Sequence, residues 1–254
     1  MSSPVSEEPL LELRDVEAGY GRAALVLRGL SVSVPAGRVV CLVGPNGAGK
    51  STVLKVASGM LVPRSGSVRV AGQDVTGHSP QRMLAAGVAH VLQGHSVFPE
   101  MTVAENVTLG AYTVSDEERV AERIAFVQEL FPVVRQRWRS LAGLLSGGQQ
   151  KQVEFARSLM VSPKVLLLDE PSMGLDPKAT GVVFDQVLAM REAGLAILLV
   201  EQNARRALET ADLGCVLDLG RVHISGPAPE LLADPQLAEL YLGGRPAVRP
   251  EESR

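Results

Sequence analysis

Cysteine is scarce in this 254-residue chain: only Cys41 and Cys215 are present, each inside an apolar stretch. Neither a disulfide framework nor a cysteine-based metal site is expected from that usage, and a reducing, cytosolic setting fits it. Long apolar runs are missing too. The longest, Leu195 to Val200, has six residues, against the roughly 20 that a spanning helix requires, so no segment is expected to cross a bilayer. Around Glu7 and Glu8 the N-terminal residues are Ser and Pro, with neither a basic nor an apolar stretch, and no secretory signal is expected there. Charge of one sign is also lacking, with 25 Lys+Arg against 28 Asp+Glu and a formal net charge of −3. A protein that grips a phosphate backbone usually shows a strong basic excess, so nucleic acid is not expected as a partner. The histidines His78, His90, His95 and His223 are scattered, without the short-range pairing typical of zinc ligands.

What the chain does have is length enough to bury about three quarters of its unfolded surface, so its core can hold without staples. Val39–Val43, Val165–Leu168 and Ala196–Val200 are short continuous apolar runs, as expected for strands covered on both faces of a parallel sheet, and Val88–Leu92 adds another. Leu11–Val16, Leu30–Val34 and Ser67–Val70 alternate apolar and polar residues instead, which predicts half-exposed antiparallel strands beside that core. Cys215–Leu219 and Arg221–Ile224 flank Gly220 as a hairpin. From about Pro99 to Met160 the strand signal vanishes, and Val103–Tyr112, Asp116–Leu130 and Gly148–Met160 carry helical spacing. That stretch reads as a helical lobe inserted in an α/β sheet.

Three motifs carry chemistry. Gly44-Pro45-Asn46-Gly47-Ala48-Gly49-Lys50-Ser51 fits GxxxxGK[ST], follows a predicted strand and opens the helix-prone segment Ser51–Ser58. Its glycines let backbone N–H groups close round phosphates, Lys50 reaches the β- and γ-phosphates, and the Ser51 hydroxyl is placed to ligate Mg²⁺. The run Val165–Leu168 ends in Asp169-Glu170, two carboxylates that alternation points in different directions. Asp169 suits a Mg²⁺ partner through water, and Glu170 suits the group that orients or deprotonates an attacking water. Leu145-Ser146-Gly147-Gly148-Gln149 precedes a helix and forms a second anion cradle with no lysine of its own.

With LSGGQ lying between the phosphate loop and the acid-ended strand, the chain resembles the ATP-binding subunits of ABC transporters over nearly its whole length. That resemblance implies a P-loop (RecA-like) core sheet with an antiparallel β subdomain and an inserted helical subdomain. Residues 8–244 would form one domain, with 8–92 and 161–244 as core, 93–160 as the helical subdomain, and 1–7 and 245–254 as flexible tails. It also implies ATP and Mg²⁺ as ligands, with two ATPs held head to tail in a dimer, each phosphate loop covered by the partner's Ser146–Gln149. Tyr20 falls where the family stacks an aromatic on adenine, and Thr52 extends the phosphate loop. Gln93 matches the Q-loop glutamine, which senses Mg²⁺ or water, and Ser172–Asp176 matches the D-loop at the dimer seam, with Asp176 at the bound nucleotide; beside Pro177, Asp176 could instead cap the helix that follows. Gln202, in Val200-Glu201-Gln202-Asn203, stands where most of the family has a switch histidine. Its amide can hydrogen bond to phosphate but cannot become a cation.

The VEQN string, Phe98–Asn106 and the ending Leu240-Tyr241-Leu242-Gly243-Gly244 resemble the branched-chain amino-acid uptake subfamily, with its urea and amide relatives. The implied partners are a second ATP-binding subunit, the same or different, two permease subunits and, indirectly, a solute-binding protein. The implied location is peripheral, on the cytoplasmic face of the cell membrane. Arg135, Arg137 and Arg139 around Trp138 read as a solvated helix face near the permease. A different cargo such as urea or an exported lipid, or a soluble non-transport ABC ATPase, are the rival readings; a P-loop kinase leaves LSGGQ without a purpose.

Overall fold

Burial sorts the strands into two kinds, and the two kinds build two sheets. A computed structural model describes residues 8–21, 24–94, 96–235 and 237. In chain order the elements are β1 (Leu11–Ala18), β2 (Leu27–Val34), β3 (Val39–Val43), α1 (Lys50–Ala57), β4 (Ser65–Val70), β5 (Gln73–Asp74), α2 (Pro80–Ala86) and β6 (Val88–Val91). The lobe follows as α3 (Val103–Leu109), α4 (Glu117–Leu130), α5 (Pro132–Gln136), a 3₁₀ turn and α6 (Gly147–Leu159). The chain returns through β7 (Val165–Asp169), α7 (Pro177–Glu192), β8 (Ala196–Val200), α8 (Ala204–Thr210), β9 (Leu213–Asp218), β10 (Arg221–Pro227) and α9 (Ala228–Ala233).

Every residue of β3, β7 and β8 is buried, and these strands form the middle of a six-stranded sheet in the order β10-β9-β3-β8-β7-β6. Its pairings are parallel except for the β9–β10 hairpin around Gly220. The alternating segments β1, β2 and β4 pair antiparallel, with β5 at the edge, in a separate sheet ordered β2-β1-β4-β5. Period-two side chains explain the rest. Val39, Cys41, Val43, Leu166, Leu168, Ile197 and Leu199 face one apolar core shared with the helical lobe, α7, α8 and α9. Val40, Leu42, Leu167, Leu198 and Val200 face the other, shared with α1 and the four-stranded sheet. Fully burying each such side chain contributes about 1.5–3 kcal/mol.

The two cysteines are buried and free. Leu42, not Cys41, registers with Cys215, so the thiols point into opposite cores. Burial raises both thiol pKa values, Cys215 to about 11, and keeps them protonated and inert.

Expected strand cores and lobe helices match observed elements, with boundaries that differ by a few residues. β1 runs on to Ala18 and β2 starts at Leu27, while α3 stops at Leu109 rather than Tyr112. Both α3 and α4 are held by side-chain caps, Thr102 reciprocating with Glu105 and Asp116 accepting from Glu118 and Arg119. Trp138, expected on a solvated face, is half-buried against the lobe's core, and its arginine neighbours are exposed. The segment Leu240–Gly244, both tails and His95 lie outside the described residues.

On the edge strand β6, both ring nitrogens of His90 are shielded from solvent with no hydrogen-bond partner. Burial, assisted by the Lys55 charge, lowers its pKa from 6.5 to about 4. Between those values the unfolded chain binds the proton and the folded one does not, so stability falls as pH drops through that window. His90→Phe should flatten the pH dependence of urea unfolding between pH 6.5 and pH 4, by on the order of 2 kcal/mol.

Candidate functional site

The carboxyl ends of β3, β7 and β8, with the chain leaving β6, converge at one rim of the central sheet, the place where parallel α/β sheets hold ligands. Between β3 and α1 the phosphate loop turns on glycines with positive φ. A Cβ on Gly44 (φ 153°) would lie 2.1 Å from the Leu217 carbonyl oxygen, and one on Gly49 (φ 109°), which caps α1, 2.9 Å from Leu27 Cδ2. Lys50 lies within the loop, its Nζ donating to the carbonyls of Gly44 at 2.8 Å and Pro45 at 3.1 Å. One of its three N–H bonds remains for another acceptor. Burial lowers the Lys50 pKa, and the charges of Glu170 and Asp169 oppose that shift.

Opposite the loop, Asp169 ends β7 and Glu170 follows it off the strand, so the two carboxylates meet different partners through the turn and not through strand alternation. Asp169 Oδ1 accepts from Ser51 Oγ at 3.3 Å, and burial raises its pKa, with the Ser51 bond opposing and the Glu170 charge adding. Glu170 adopts a left-handed backbone (φ 45°), its N–H donating to the Val200 carbonyl at 2.9 Å. Its Oε2 accepts from Gln93 Nε2 at 2.8 Å. Gln93 Nε2 also lies 3.1 Å from Met173 Sδ.

A cavity of about 580 Å³ is lined by Tyr20, Val26, Asn46, Gly47, Gly49, Lys50, Ser51, Thr52, Gln93, Glu170, Met173 and Gln202. Most of the expected site is therefore brought together. Ala48 and Pro45 shape the loop through an Ala48 N–H bond to the Pro45 carbonyl, and Asp169 reaches the site through Ser51. Tyr20 is 50 % exposed at the cavity mouth. Burial would raise its hydroxyl pKa, but hydrogen bonds with Thr52 and Lys55, and the Lys55 charge, bring the net shift down.

Ser146, Gly148, Gln149 and Asp176 line a different cavity, of about 440 Å³, with α7. Gly148 there lies against α7, where a Cβ would come within 2.9 Å of Ala179 Cβ. Gly147 opens α6, and the Ser146 N–H donates to Gln149 Oε1 at 3.1 Å. Asp176 Oδ1 accepts from the N–H groups of Lys178 and Ala179, so within this chain it caps α7.

One residue escaped the sequence reading. Glu201, just past β8, is 2 % exposed and accepts from both the N–H and the hydroxyl of Ser172, each at 2.9 Å. Burial raises its pKa. It ties the segment after Glu170 to the segment that presents Gln202. Its signal was an acid directly following a wholly buried strand, which requires partners.

The residues fit a nucleotide. The loop is closed round a buried lysine, one acid is bonded to the loop hydroxyl, and a second acid is held by an amide at the cavity wall. Among the described residues no cluster of three or more His, Cys, Asp or Glu gathers to hold a metal, so a cation here would rely on Ser51, Asp169 and the nucleotide's own oxygens.

Fold and site together define a P-loop nucleotide-binding cassette. The chain belongs to the ABC transporter family, whose sequence profile, described as ABC transporter, matches residues 27–173. It is 38% identical over 235 residues to the high-affinity branched-chain amino acid transport ATP-binding protein BraG of Pseudomonas aeruginosa, covering 92% of this chain and all of that one. It is 39% identical over 233 residues to a probable branched-chain amino acid transport ATP-binding protein, LivF, of Archaeoglobus fulgidus, covering 91% of this chain and 98% of that one. Among solved structures, an ATP-binding cassette of an ABC transporter in its ADP conformation superposes with a TM-score of 0.83 at 30% identity, over 93% of this chain and 99% of that one.

Asp169→Asn should leave the nucleotide-free chain as stable as the parent or more so, by on the order of 1 kcal/mol above pH 7, because it removes a buried charge that burial disfavours. The part of ATP-induced stabilisation that depends on Mg²⁺ should disappear. Thermal unfolding with ATP, with and without Mg²⁺, reads both.

Proposed function

We propose that this chain is the ATP-hydrolysing motor subunit of an importer for branched-chain amino acids or related small polar solutes. The ATPase role follows from family membership. The observation that carries the site assignment is the single cavity that gathers Lys50, Gln93, Glu170 and Gln202. The cargo assignment is supported by the similarity to BraG and LivF, branched-chain amino acid transport ATP-binding proteins.

In this reading Lys50 and the loop N–H groups of Gly47, Gly49 and Ser51 bind the β- and γ-phosphates, with the dipole of α1 adding to the attraction. Ser51 and Asp169 would hold Mg²⁺, which would supply charge neutralisation at the transferring phosphoryl group. Glu170 accepts a proton from the attacking water, and Gln93 holds that carboxylate in place through the 2.8 Å bond. Gln202 donates its amide to the γ-phosphate from the opposite wall. Tyr20 stacks on adenine. Ser146–Gln149 cap the γ-phosphate of a partner subunit, a role favoured by their separate cavity, with Asp176 at the same seam. Two subunits thus close on two ATPs and reopen on hydrolysis, and the lobe 93–160 passes that movement to permease subunits.

The chain's membership of the ABC transporter family supports a peripheral place at the cytoplasmic face, beneath permeases served by a solute-binding protein; no helix of the described residues is long and apolar enough to cross a membrane.

Gentle solubilisation of native membranes, affinity capture of this chain and mass spectrometry of the bound proteins test the assignment. Recovery of hydrophobic permeases with an ATP-binding subunit supports it, and recovery of ribosomes or DNA-repair proteins overturns it. In that assembly Glu170→Gln should retain ATP binding while turnover falls about 10²–10⁴-fold, as for loss of a general base. Gln202→Ala should lower kcat by about three- to ten-fold, the loss of one hydrogen bond to the transition state. Unchanged turnover would remove Gln202 from the catalytic set.

A further inference from the structure

Lys151 and Glu154 carry charge where almost no water reaches. Each is 2 % exposed, and Lys151 Nζ lies 2.6 Å from Glu154 Oε2. A pair removed from water this completely is sustained only when its remaining donors and acceptors are also satisfied. Here those partners lie on one short strip of backbone. Lys151 Nζ donates to the Gly94 carbonyl at 2.6 Å, and Glu154 Oε1 accepts from the Ser96 N–H at 2.5 Å. Further along α6, Arg157 donates to the Ser96 carbonyl at 2.8 Å and to its hydroxyl at 2.6 Å. Its guanidinium also lies 5.5 Å from the centre of the Phe98 ring.

The strip held in this way directly follows Gln93, whose amide meets Glu170. The helix holding it is the one that opens with Gly147 and Gly148. Packing alone does not call for these charges, because their neighbours Val153, Phe155 and Ala156 fill the same helix turns with apolar atoms.

We propose that the buried Lys151–Glu154 pair positions Gln93: it fastens the backbone after Gln93 to α6, so that the placement of α6 sets the placement of the Gln93 amide on the Glu170 carboxylate. Neither residue lines the cavity that gathers Lys50, Gln93 and Glu170, so the pair acts through Gln93. The inference rests on the ATPase reading of the site and not on the cargo.

Lys151→Met combined with Glu154→Met removes both charges at similar volume, a replacement that buried pairs commonly tolerate. In the membrane assembly this variant should keep its KM for ATP within about two-fold while kcat falls about ten-fold. Introduced beside Gln93→Ala, it should lower kcat no further, because both changes break one linkage. Hydrogen exchange at the Ser96 amide should quicken about ten-fold while the rest of α6 stays protected, a readout that needs no hydrolysis. Arg157→Gln, on the half-buried flank, should give a smaller loss, about three-fold, that also vanishes beside Gln93→Ala, so the cycle holds even where the double variant does not fold. A folded pair variant with the parent's kcat, additive losses beside Gln93→Ala, or unchanged Ser96 exchange would each overturn the proposal. A wrong cargo leaves these outcomes intact, whereas a parent chain that hydrolyses no ATP counts against the ATPase reading and leaves Ser96 exchange to decide the attachment.

Discussion

Three strands covered on both faces have nowhere to put a polar group except at their ends, and the rest of this molecule depends on that constraint. β3, β7 and β8 are apolar along their whole length up to the terminal Asp169, so chemistry is expelled to the rim where they stop. The phosphate loop and the Glu201–Gln202 pair directly follow β3 and β8, and the Asp169–Glu170 pair straddles the end of β7. Parallel pairing fixes their mutual spacing, since Asp169 registers with Val200 and Leu42 with the same Val200 from the other side. Site geometry is therefore a by-product of sheet register.

At that rim the polar groups form a connected set. Ser51 joins the loop to β7, Gln93 joins β6 to Glu170, and Ser172 joins the segment after β7 to the segment after β8 through Glu201. Each link crosses between two elements that would otherwise meet only through the sheet. A low-dielectric surrounding strengthens such bonds and makes an unpaired member costly. That setting accounts for the upward pKa of both Asp169 and Glu201.

What the sequence made legible was whatever depends on period and local motif. Continuous against alternating apolar runs distinguished β3, β7 and β8 from β1, β2 and β4, because burial on two faces or one leaves a different imprint. The phosphate loop and the acid-ended strand were legible because their chemistry is contiguous along the chain. Harder to read were features that depend on contacts across distance. Glu201 carries no local sign that Ser172 will satisfy it, and Lys151 and Glu154 look like ordinary polar residues of an amphipathic helix until α6 packs against the chain leaving β6. Asp176 was legible in two ways, at a dimer seam or as a cap on the helix after Pro177, and within this chain it makes the cap. Trp138 looked exposed beside three arginines, and the lobe's core claims it.

Glu170 holds a left-handed backbone at φ 45°, a conformation that side chains other than glycine rarely adopt and that costs on the order of 1 kcal/mol. Glycine would relax it, but glycine has no carboxylate. With Glu170 as the group proposed to take the proton from water, the position is one where folding and turnover would ask for different residues. A search for more heat-resistant forms of this protein, blind to activity, would be drawn toward abolishing that side chain.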